Sequence, residues 1–129
     1  MSYFKKTIAP ILLTGIWINI FETLRWEFLV KSYWLEHYEK LDMIFPTEMT
    51  NNFIWMTWGF MFAITIFLLS RKFTLIQTTI FSWFVAFVML WTVIWNIGML
   101  PVAMLWILAP LTLFEAFIGA RICKKLSSQ

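Results

Sequence analysis

Between Lys72 and Glu115 the chain runs 42 residues without a charged side chain. A bilayer's hydrocarbon core needs about 20 apolar residues to cross, so this block reads as two membrane spans folded back on each other. Gly98 and Pro101 mark the hairpin, because glycine frees the backbone and proline suits the first turn of a helix. Two other apolar stretches precede it. One follows Lys5 and Lys6 and reaches about Trp26; the second ends at Arg71 and Lys72. The pattern predicts an all-α, integral membrane four-helix bundle, one domain over 1–129, with spans at about 7–26, 52–69, 74–96 and 101–120. The first stretch resembles the start of a secretory signal. It is followed by Glu22, Leu24, Arg25 and Trp26 instead of small residues, so it is expected to stay as a span.

Glu27 to Lys40 contains neither Gly nor Pro and is rich in helix formers, so span one should continue as a helix past the membrane. Pro46 should end regular structure, leaving Leu41 to Asn51 as an irregular connector on the surface. The basic residues orient the bundle. Lys5, Lys6, Arg71, Lys72, Arg121, Lys124 and Lys125 fall on one side of four spans, while Glu36, Glu39, Asp42 and Glu48 outnumber Lys31 and Lys40 on the other. Basic residues favour the cytoplasmic side, which places both termini in the cytoplasm, with a bacterial inner (plasma) membrane as the expected location.

Composition narrows the chemistry. Hydrophobic residues are 61% of the chain and charged ones 13%, against roughly 45–50% and about 25% in soluble domains. The net charge of +3 is spread over span ends, which argues for lipid orientation and against nucleic acid. Cys123 and His37 each stand alone of their kind. That excludes an intramolecular disulfide, CxxC redox chemistry and a histidine-cluster metal site, and no cofactor or metal is expected. His37 reads as a solvated surface residue, and Cys123 as a cytoplasmic thiol whose juxtamembrane position would permit acylation. The nine Trp gather mostly toward the outer boundary, as an interfacial belt or the wall of an outward pocket.

Polar side chains are costly in hydrocarbon, so their placement carries the functional signal. At 100° per residue Gly15, Asn19, Glu22, Trp26 and Tyr33 share one stripe of span one, and Arg25 lies at i+3 from Glu22, within pairing distance. Glu22 counts to the outer third. Span three carries Thr78, Ser82, Val85, Met89, Thr92 and Asn96 at spacings of four and three. If the two stripes meet, Asn19, Glu22, Arg25, Thr92 and Asn96 form a ligand-binding cluster walled by Trp26, Trp55 and Trp58. The plainer alternative is a satisfied Glu22–Arg25 pair and an Asn19–Asn96 hydrogen bond. Glu115 counts separately to the inner third of span four, below a bend expected at Pro110. It is either a proton or ion site, or a partner of Arg71, Lys72 or Arg121.

Three functions compete. The first is binding or transport of a small solute or amphipathic cation, through carboxylate charge and cation–π attraction, by a homodimer, since four spans enclose little volume. The second is a membrane enzyme using Glu22, with Arg25 or Glu115, for acid–base chemistry on a lipid-like substrate. The third is an accessory subunit packed on a larger membrane partner. The lipid bilayer is a partner in all three.

Overall fold

A computed structural model describes residues 2–127, which form helices and connectors with no strand among them. Four helices are long and apolar enough to cross a membrane: α1 (Phe4–Lys40), α2 (Met49–Ser70), α3 (Leu75–Asn96) and α4 (Val102–Ser127). The 37 residues of α1 far exceed the ~20 that a bilayer requires. The expected extension through Glu27–Lys40 is therefore present.

Local chemistry sets the helix ends. Glu48 and Asn51 form a reciprocal capping box, which starts α2 at Met49, three residues before the apolar run begins. Thr74 and Gln77 do the same for α3. Each box satisfies backbone N–H groups that a helix start leaves without partners. Helix α3 ends where Met99 N–H reaches the Ile94 carbonyl and Gly98 N–H reaches that of Trp95, with Gly98 at φ 74°. This paired closure needs a left-handed residue, hence the glycine. Asp42, at φ 59°, closes α1 with the same bonds, Met43 to Tyr38 and Asp42 to Glu39. Helix α4 runs on through Pro110 to Ser127, so Arg121, Lys124 and Lys125 lie within its last two turns instead of beyond its end.

Helices α2 and α4 touch each other, and both touch α1 and α3; close backbone contact between α1 and α3 is sparse. The α2–α4 pair thus forms a diagonal that separates the other two helices. Small residues permit it. A Cβ on Gly119 would come within 3.0 Å of Ile66 and 3.1 Å of Thr14, and one on Gly15 would overlap the Phe60 ring. Close backbone approach through small residues is how helices gain contact when lipid is their solvent. Helices α1 and α4 run antiparallel: Thr14 meets Cys123 at 3.3 Å, and Trp17 Nε1 donates to the Glu115 carbonyl at 3.0 Å.

The core has two parts. Ile18, Phe62, Ala63, Ile66, Phe67, Phe87, Ala116 and Ala120 fill the bundle. Val30, Leu100, Met104 and Leu108 fasten the extension of α1 to the start of α4.

Wide turns of π-helix interrupt the regular coil at Phe4–Ile8, Trp26–Val30 and Phe84–Val88. The first directly precedes Pro10, whose ring would clash with the carbonyl four residues back in a regular helix. The third re-aims α3. A turn closed by i→i+5 bonds holds one residue more than an α-turn, so the inward face shifts by one position after it. Thr78 and Ser82 are buried before the turn. Within the turn Phe87 is buried and Val85 exposed; after it Trp91 and Ile94 are half-buried, while Met89, Thr92 and Asn96 are exposed.

Candidate functional site

Three charged side chains meet inside the bundle. Arg25 Nη2 pairs with Glu22 on its own helix, and Arg25 Nη1 reaches Glu115 Oε1 of α4 at 3.3 Å. Their side chains are 11% (Arg25), 23% (Glu22) and 0% (Glu115) exposed. The Arg25 guanidinium also lies over the Phe87 ring of α3, 5.7 Å from its centroid. Phe87 in turn packs edge-on against Trp58 and Phe62 of α2, at 5.5 and 5.4 Å between ring centroids. All four helices therefore contribute to one site: charges from α1 and α4, an aromatic wall from α2 and α3.

Two polar atoms of this buried cluster have no hydrogen-bond partner, Arg25 Nε and Glu115 Oε2. One is a donor and the other an acceptor. Two carboxyl groups face one guanidinium, so full ionisation would leave one negative charge in an apolar core. Buried charges persist only when paired and hydrogen-bonded. The arrangement can accept one further positive charge, a proton or a small cation.

Arg25 brings Glu22 and Glu115 to one level, so the outer-third and inner-third counts do not hold together. Glu115 lies thirteen residues after Val102 and twelve before Ser127, midway along α4. It does not pair with Arg71, Lys72 or Arg121. Every Cα–Cβ bond tilts toward its helix N-terminus, so on antiparallel α1 and α4 the side chains of Arg25 and Glu115 lean toward each other. That lean closes the offset between their backbones and makes Glu22 and Glu115 one site instead of two.

The remaining expected residues divide. Asn19 donates to the Gly15 carbonyl at 2.8 Å and to the Met56 carbonyl of α2 at 3.4 Å, so it braces α1 against α2 and makes no bond to Asn96. Thr92 bonds to its own helix at the Val88 carbonyl, and both Thr92 and Asn96 are exposed. The one-residue shift at Phe84–Val88 removes them from the cluster, and the α2–α4 diagonal keeps their helix apart from α1. Trp58 does wall the site, through Phe87. Trp55 is 58% exposed and does not. Trp26 packs instead on the second part of the core and stacks at 4.9 Å on Phe45, which the connector folds back among Trp34 and Tyr38.

His37 is not simply solvated: its Nε2 donates to the Gly98 carbonyl at 2.8 Å, tying the α1 extension to the α3–α4 hairpin. Cys123 is buried against Thr14, the wrong environment for an accessible thiol. Phe87 and Trp17 were missed from sequence. Only the register between helices, which no single helix's periodicity contains, could have found them. Among the described residues no three His, Cys, Asp or Glu side chains gather in a way that could hold a metal.

Fold and cluster together define a class: a helical protein with four membrane-length spans carrying a Glu–Arg–Glu ion cluster between them. Comparison with protein families, curated proteins and solved structures finds no match in any of the three.

Proposed function

We propose that this chain is a membrane binding or transport protein for a small solute or amphipathic cation, with Glu22, Arg25 and Glu115 as its ligand site. One observation carries the reading: two carboxyl groups share one guanidinium in an apolar setting, with Glu115 Oε2 unpartnered. A cation with an apolar body would supply the missing charge there and pack on Phe87 and Trp58, whose ring faces attract cations. Neither of the surface grooves along α1 and between α3 and α4 reaches the cluster. The cluster meets its surroundings through Glu22, 23% exposed, and a translocation pathway would use two copies of the chain.

The test is thermal unfolding of the purified protein in lipid nanodiscs with tetraphenylphosphonium as probe. The reading expects a dose-dependent rise in Tm, lost in Glu22→Gln and in Glu115→Gln while both variants stay folded. No rise with this or any of a panel of lipophilic cations overturns it, as does a rise that survives both substitutions.

A second reading, an accessory subunit of a larger membrane complex, is favoured by Arg25 already engaging both carboxyl groups. It expects the cluster to matter for folding alone. Acid–base catalysis has less support, since the same pairing occupies both carboxyl groups.

A further inference from the structure

Among the described residues, Glu22, Arg25 and Glu115 are the charged groups at the centre of the bundle. Helices α2 and α3 contain no Asp, Glu, Lys or Arg at all, and α4 contributes only Glu115 before Arg121. Glu27, the next acidic residue of α1, is exposed and pairs with Lys31 at 3.8 Å. The groups facing the cluster from α2 and α3 are hydrocarbon rings, Trp58, Phe62 and Phe87. Among the described residues, the charge count of the cluster is therefore closed by its own members: two carboxyl groups and one guanidinium.

We infer that Glu22 and Glu115 together hold one exchangeable proton, so that the resting cluster is a carboxylate, a carboxylic acid and a guanidinium of zero net charge. Glu115 is fully enclosed, and its second oxygen receives no hydrogen bond that would stabilise a negative charge, which favours the neutral acid there. Glu22, partly exposed and paired with Arg25, is the route by which that proton reaches water. The exchange step rests on the reading above. When a cation enters, the O–H bond breaks, the proton passes to water, and the electron pair left on the carboxyl balances the incoming charge. One cation replaces one proton, and the cluster stays neutral throughout.

Infrared spectroscopy of the purified chain in an ester-free detergent at neutral pH tests this, because a protonated carboxyl has a C=O stretch separate from that of carboxylates. The wild type should show such a band, shifting in deuterium oxide. It should vanish in Glu115→Gln and equally in Glu22→Gln, since removing either carboxyl leaves one carboxylate against one guanidinium and no need for a proton. Absence of the band in the wild type overturns the inference. So does its persistence in Glu22→Gln, which would make Glu115 an acid by burial alone. If a variant misfolds, wild-type protein grown with isotope-labelled glutamate decides the matter: the band must move with the label, and a band that does not move overturns the inference. Tetraphenylphosphonium should then bleach the wild-type band. A band that passes both Gln tests but ignores this probe and every cation of the panel upholds the shared proton, overturns its exchange for a cation and removes the cation-binding reading.

Discussion

Arg25 is the residue on which the interior depends. Its guanidinium touches both carboxyl groups and one aromatic face, so it joins the charged and the aromatic halves of the site. Glycines set how close the helices around it can come. At Gly15 a Cβ would collide with Phe60 of α2. Gly15→Ala should therefore destabilise the bundle by about 1–3 kcal/mol, the usual cost of overpacking, measured by reversible denaturation in mixed micelles. A variant as stable as the wild type would mean that α1 and α2 are not in this register. At this scale the sequence was informative: Glu22, Arg25 and Glu115 all stood out, because a charged side chain among apolar ones identifies itself. The Glu22–Arg25 pair was legible too, from its i,i+3 spacing, but the link from Arg25 to Glu115 was not, since it depends on how two helices are offset.

The elements were legible where helix signals are local. The four apolar stretches, the hairpin glycine and the extension past Glu27 each follow from composition within a few residues. The reading failed where a helix departs from 3.6 residues per turn. A stripe counted at 100° per residue placed Thr92 and Asn96 inside, and the wide turn at Phe84–Val88 puts Phe87 and Trp91 there instead. Nothing in a run of Phe, Val and Ala announces such a turn. Its role can be tested by deleting Val85. The turn should then close into a regular helix with one residue fewer, which keeps Trp91 on the inward face, and Trp91 should stay as shielded from lipid-borne quenchers of tryptophan fluorescence as in the parent, in a background where the other Trp are replaced by Phe. A rise in quenching would show that the turn does not absorb an extra residue and does not set the face of α3.

At the scale of the whole molecule, four membrane-length helices meet along an α2–α4 diagonal, and the ion cluster lies where α1 and α4 flank it. An even number of spans and the distribution of Lys and Arg predict both termini on the cytoplasmic side. Cysteines introduced at Ser2 and Ser127 in a Cys123→Ala background should both resist a membrane-impermeant thiol reagent in intact cells and react after lysis. Labelling of one end alone would break the four-span topology.

The most direct measurement of the central claim is a double-mutant cycle between Arg25→Met and Glu115→Gln, followed by unfolding free energy. If the two side chains meet inside the bundle, Arg25→Met alone should cost about 3–5 kcal/mol, because it leaves two buried carboxyl groups without their cation. The double variant should recover part of that loss, with a coupling energy of roughly 1–3 kcal/mol. Costs that add to within about 0.5 kcal/mol would mean that Arg25 and Glu115 do not touch, and the single-cluster account would be wrong.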